Sequence, residues 1–254
     1  MNADEPNDSG PPGGTPGILR RNGWALLAAT AVTIGVELGM YWLAMGLGVG
    51  ARQAVPATLA VSVLWVALAA GALAAGSDGG WGMLLRGGIV ADASAVSLAV
   101  LAVASPYVTL LAAAQVYCTL AAMALFSTAV VACAAGRGAR LTAAAATAVV
   151  LMAALSTPLW IGGALRAEAS VAGPIASTAA LVNPFYSVTS AVVEQTHFVW
   201  HQARVMYQIT WLGDLAAPAP VPWYAAAIVY GVPAALLWGL RRVLRGFKHS
   251  QAVP

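Results

Sequence analysis

The 254-residue chain is 60% hydrophobic and only 8% charged, with a mean hydropathy of +0.79, whereas soluble domains carry about 25% charged residues. Too few polar side chains are present to face water on every side, which excludes an aqueous globular domain and makes lipid the expected solvent. The net charge of +3 comes from twelve basic residues set in ones and twos at the ends of apolar runs; no basic stripe interleaved with aromatics is present, so no nucleic-acid partner is expected.

Residues 1–17 are acidic, rich in Pro and Gly, and lack Lys and Arg. That is the reverse of a secretory n-region and predicts a disordered cytoplasmic tail. The first span is predicted over 24–46, with Trp24, Tyr41 and Trp42 as interfacial aromatics. After a short Gly-rich turn carrying Arg52, a second span is predicted over 55–75, with Pro56 in its first turn. Residues 77–88 then read as a short polar and aromatic connector.

From 89 to 135 run 47 almost unbroken apolar residues, too many for one crossing at about 20 residues each. Pro106 disfavours helix at the residue before it, so the break falls at 104–107, dividing the run into spans 89–104 and 108–135. A loop with Arg137 and Arg140 leads to a fifth span, 141–165, with a kink expected at Pro158. A sixth, 223–240, runs into Arg241, Arg242, Arg245 and Lys248.

The 57 residues between spans five and six fit a helical hairpin dipping into or lying along the membrane edge better than a seventh crossing. With six spans and the N-terminus inside, nine basic residues are cytoplasmic and three (Arg52, Arg166, Arg204) are outside, as the positive-inside rule requires. The predicted fold class is therefore an all-α membrane protein of about six transmembrane helices, with an extracytoplasmic helical segment between helices five and six. Residues 18–248 form the transmembrane domain, 249–254 a C-terminal tail, and the protein is multi-pass in the cell (inner) membrane with both termini cytoplasmic.

Cys118 and Cys133 lie 15 residues apart in one predicted helix, roughly 22 Å, so no disulfide joins them. Lysine occurs once, at Lys248, and no GxxxxGK[ST] is present, so the chain is expected to carry no nucleotide site of its own. Two carboxylates fall within spans: Glu37 near the middle of the first and Asp92 at the start of the third. Buried ionisable groups are costly in hydrocarbon, so both are candidates for a translocation path. The competing reading makes Glu37 a structural hydrogen-bond partner between helices and Asp92 an interfacial carboxylate near Arg86. Glu194, His197 and His201 share one helical face at spacings i, i+3 and i+7, open both to a metal reading and to that of a polar face on an interfacial helix.

The segment 181–190, with Asn183-Pro184-Phe185-Tyr186 followed by Ser190, resembles the "NPFY-x-x-x-S" stretch found ahead of the last helix in permease subunits of type-2 ABC exporters. The hydropathy profile resembles that family as well. Such permeases usually carry a distinct amphipathic helix before span one, for which 17–23 leaves barely two turns. The resemblance implies a translocation path formed by two permease chains, identical or paralogous. It also implies a docked ABC-type ATPase subunit that binds the ATP, with no cofactor in this chain. Docking is then expected at 77–88, through Trp81, Met83, Leu84 and Arg86. A secondary, proton-coupled transporter and a non-transport membrane anchor are the alternatives.

Overall fold

A computed structural model describes residues 16–77, 79–157, 177–196 and 221–250, the side chains of 16–22, 193–196 and 245–250 excepted. The described residues are helical, with no strand among them: α1 (Pro16–Gly46), α2 (Ala51–Ala75), α3 (Gly80–Ala104), α4 (Leu110–Cys133), α5 (Arg137–Leu155), α6 (Pro184–Thr196) and α7 (Ala225–Ser250). Six of them, α1 to α5 and α7, have the length and apolarity to cross a bilayer. The protein is an all-α, multi-pass membrane protein.

Helices are the expected outcome of a chain this rich in Ala, Val and Leu, because in lipid each backbone N–H and C=O needs a partner within its own segment. Several embedded hydroxyls obey the same demand by bonding back one turn. Thr33 donates to Ala29, Thr58 to Ala54, Ser94 to Val90 and Thr128 to Ala124, each through the backbone carbonyl. The break between α3 and α4 falls where Pro106 predicts it, and Thr109 caps α4 by accepting from the Ala112 N–H at 3.1 Å. Gly136 precedes α5 with φ +82°, a left-handed conformation that favours glycine.

α4 lies at the centre, packed against α2, α3, α5, α6 and α7, while α1 lies against α2 and α3. The core is made of residues such as Leu59, Val63, Val66, Leu98, Leu120 and Met123. Small residues permit the tight approaches. A Cβ on Gly87 of α3 would collide with the Thr128 hydroxyl of α4 and come within 3.2 Å of the Ala70 carbonyl of α2.

Several boundaries differ from those read off the sequence. Residues 80–88 are not a connector: α3 starts at Gly80, so Trp81, Met83, Leu84 and Arg86 occupy its first two turns. Asp92 is consequently not near the start of a span but at its midpoint, twelve residues from either end of α3. α2 opens at Ala51, which brings Arg52 into the helix and sets Pro56 past its first turn. α1 runs unbroken from Pro16, so residues 17–23 continue into the span rather than forming a helix apart from it. Tyr41 is buried in the core, while Trp42 stays exposed.

α6 is 13 residues long, about 20 Å at 1.5 Å per residue and too short to cross. It is packed inside the helical bundle rather than on its surface. Phe185 to Val192 are buried on every side, wedged among α2, α4, α5 and α7. Pro158, Arg166, Arg204, His197 and His201 lie outside the described residues, as does the side chain of Glu194.

Candidate functional site

Glu37 sits in the seam of α1, α2 and α3 and is fully buried at 0% exposure. Its Oε1 accepts from the Ser94 hydroxyl of α3 at 2.6 Å. The Ser94 hydroxyl also lies 3.0 Å from the Val90 carbonyl, so one proton faces two acceptors. The hydroxyls of Ser97 on α3 and Ser62 on α2 lie beside the same carboxyl, yet Glu37 Oε2 and Ser97 Oγ have no hydrogen-bond partner. Ser62 Oγ also lies 3.2 Å from the Thr58 carbonyl, so its proton too faces two acceptors. One turn before Glu37, Thr33 accepts from Trp65 Nε1 of α2 at 2.9 Å, pinning α1 to α2.

The second carboxylate is elsewhere. Asp92 is exposed on the outer face of α3 among Leu85, Val96 and Val100, where Tyr117 of α4 donates to its Oδ1 at 2.8 Å. Ser94 and Asp92 are two positions apart and so point to opposite sides of α3. Glu37 and Asp92 do not converge on one site.

At one end of the bundle the arginines gather. Arg86 donates to the Gly76 carbonyl at 2.6 Å and Arg140 to the Ser77 carbonyl at 2.5 Å, so the start of α3 and the start of α5 are both tied to the end of α2. Arg241 stacks over the Trp238 ring, 5.0 Å from its centroid. Beside it a groove of about 500 Å³ is lined by Trp81, Leu84, Leu125, Trp238, Arg241 and Arg242, among others. Of the residues expected to dock a partner, Trp81 is 76% exposed, and Leu84 and Arg86 are half-buried. Met83 does not belong with them. At 1% exposure it packs inward on Ala74, Ala75, Val131 and Ala132, where no partner can touch it.

Comparison with family models, with curated proteins and with solved structures found no match for this chain.

The Asn183-Pro184-Phe185-Tyr186 segment forms the joint that holds α6 in place. Asn183 Oδ1 accepts from the Phe185 N–H at 3.0 Å, capping the helix. Its Nδ2 donates to the Leu155 carbonyl at 3.1 Å and to Thr157 Oγ1 at 3.3 Å, fastening α6 to the end of α5. Pro184 follows the cap, where its missing N–H costs nothing. Ser187 accepts from the Ala226 N–H at 3.1 Å, and Tyr230 donates to the Val182 carbonyl at 2.7 Å, so α7 is fastened to the same joint.

Sequence reasoning had singled out Glu37 but not Ser62, Ser94 and Ser97, nor Tyr117 and Trp238. The pair Ser94 and Ser97, one turn apart on a single helical face, was the available signal.

Proposed function

We propose that the chain is the transmembrane permease subunit of a type-2 ABC exporter, working in the cell (inner) membrane with both termini cytoplasmic. In this reading a separate ABC-type ATPase binds the ATP, and a second permease chain completes the translocation path. The observation that supports it best is the basic, aromatic-lined groove at the end of the bundle where Arg86, Arg140, Arg241 and Arg242 collect. Positive charge marks the cytoplasmic end of a membrane protein. A groove of about 500 Å³ with an exposed Trp81 on its rim gives a cytoplasmic ATPase an apolar foothold, and the arginines favour an acidic patch on that partner. The buried joint at Asn183-Pro184-Phe185-Tyr186 adds a second support, because the stretch that resembles the family's also carries the architecture here.

Glu37 favours a second reading, an ion-coupled secondary carrier, since a fully buried carboxylate within a span is characteristic of ion pathways. Co-purification from native membranes separates the two. The exporter reading expects a P-loop ATPase to accompany the unmodified chain. It expects that ATPase to be lost from the double variant Trp81→Asp/Arg242→Glu, which alters only exposed side chains and so leaves insertion intact. An unmodified chain that retains no ATPase would promote the carrier.

A further inference from the structure

We propose that Glu37, Ser62, Ser94 and Ser97 form a binding site for one small monovalent metal cation, of sodium size, in the seam of α1, α2 and α3. The site is independent of the ATPase reading and would exist in an exporter or in a carrier.

The first support is the pair of unpartnered atoms. Glu37 Oε2 and Ser97 Oγ belong to residues at 0% exposure, and neither has a hydrogen-bond partner. Ser97 nevertheless lies beside the carboxyl. Glu37 Oε2 thus keeps open lone pairs within reach of hydroxyls from α2 and α3, an arrangement that a cation would complete. Ser62 Oγ adds an oxygen from α2, bonded back to the Thr58 carbonyl at 3.2 Å. Ser94 Oγ adds another, 2.6 Å from the opposite carboxylate oxygen.

Charge supplies the second support. An ionised carboxylate in hydrocarbon needs a compensating positive charge, and among the described residues the helices packed on Glu37 offer none. The only basic residue of α2 is Arg52, ten positions before Ser62 and about 15 Å away along the helix. The only one of α3 is Arg86, eight positions before Ser94 and about 12 Å away, with its guanidinium on the Gly76 carbonyl. Asp92, the other titratable group near this depth, is on the far face of α3 with Tyr117. Among the described residues no basic side chain reaches Glu37, so its countercharge comes from solution, as a metal cation or as a proton.

Ligand chemistry narrows its identity. One carboxylate cancels one positive charge, so a divalent ion would leave a net charge buried in hydrocarbon. The donors are all hard oxygens, without His or Cys, which suits an alkali cation and not a transition metal. Thr58 and Ser62 are at 0–1% exposure, so an ion here would be held without a water shell of its own, which favours the smaller sodium over potassium. Bound there, the ion would hold three helices together through one carboxylate and three hydroxyls.

The test uses the purified full chain in lipid nanodiscs, with binding of radioactive sodium and thermal unfolding followed in NaCl, KCl and choline chloride at equal ionic strength. One sodium per chain is expected, with a saturable rise in melting temperature that choline does not reproduce and KCl reproduces weakly. Glu37→Gln should abolish both effects. Ser97→Ala, a small change that keeps the helix intact, should weaken sodium affinity at least tenfold, so the proposal stays testable if Glu37→Gln fails to fold. Three results would overturn it: identical melting in NaCl and choline chloride, a sodium effect that persists in both variants, or stabilisation that follows pH alone. The last would assign the countercharge to a proton.

Discussion

Tyr117 of α4 donates a hydrogen bond to Asp92 of α3 over 2.8 Å, at the midpoint of α3 and on a face otherwise built from Leu85, Val96 and Val100. A carboxylate at that depth costs about 2.5–3.5 kcal/mol on insertion scales, and a hydrogen bond to a charged group offsets about 1.5–3 kcal/mol of it. The pair thus explains how an acidic residue is tolerated on an apolar face.

A double-mutant cycle checks this. Tyr117→Phe should lower unfolding stability in detergent by about 1.5–3 kcal/mol while Asp92 is present, and by almost nothing in an Asp92→Leu background. Asp92→Leu alone should stabilise the chain, because it removes the carboxylate from hydrocarbon. Equal losses for Tyr117→Phe in both backgrounds would show that the phenol does nothing for the carboxylate.

Asn183 joins three elements through one side chain, so its loss should spread. Asn183→Ala removes the cap on α6 and both donors to the end of α5, a loss of about 2–3 kcal/mol from the cap and side-chain bonds together. Asn183→Asp keeps the acceptor that caps α6 and sacrifices the donors, so it should recover only part of that loss. Limited proteolysis in detergent should find the α5–α6 region cut first in the Ala variant. Cleavage at the wild-type rate would mean that the joint contributes nothing to holding α6.

How far the sequence carries the reading depends on what sets each feature. The six crossings are legible because hydrocarbon thickness imposes a length and an apolarity that any span must meet. Pro106 locates the α3–α4 break because its effect is local. The start of α3 is hidden because Gly79, Gly80, Gly82, Gly87 and Gly88 resemble turn residues, whereas Gly87 serves to bring α3 against α2 and α4. Once that start is misplaced, Asp92 appears interfacial when it is central. Glu37 stands out alone as a charge in an apolar run, but Ser62, Ser94 and Ser97 resemble any other serine in an Ala-rich helix. Only the crossing of α1 over α2 and α3 distinguishes them. In the same way the Asn183-Pro184-Phe185-Tyr186 motif is visible as a string, while its bonds to Leu155 and Thr157 depend on where α5 ends.

Gly87 gives a packing prediction. A methyl at this position meets the Thr128 hydroxyl and the Ala70 carbonyl at once, and overpacking of this kind costs about 1–3 kcal/mol. Gly87→Ala should therefore melt earlier than the wild type, and adding Thr128→Ala should restore part of the loss, with the backbone carbonyl of Ala70 still in the way. A Gly87→Ala variant as stable as the wild type would mean that α3 can move off α4 without penalty.

The last prediction concerns orientation, on which the proposed docking surface depends. Arg86 and Arg140 both bond to backbone carbonyls at the end of α2, and Arg241 packs against the start of α3, 3.4 Å from where a Cβ on Gly80 would stand. The end of α2 and the three helix ends that carry these arginines are therefore on one side of the membrane. The turns after α1 and after α3, with Leu47 and Pro106 exposed, are at the other. The positive-inside rule assigns the arginine end to the cytoplasm. Cys118 and Cys133 are free and exposed, so both are first replaced by Ser. Single cysteines are then introduced as Leu47→Cys, Pro106→Cys, Trp81→Cys and Ala135→Cys. In intact cells a membrane-impermeant maleimide should label positions 47 and 106 and spare 81 and 135, which should react only after permeabilisation. The reverse pattern would put the groove of Trp81, Trp238 and Arg242 outside the cell, where no ATPase fed by cytoplasmic ATP could reach it. The exporter reading would then fail on geometry alone, whatever the chain binds at Glu37.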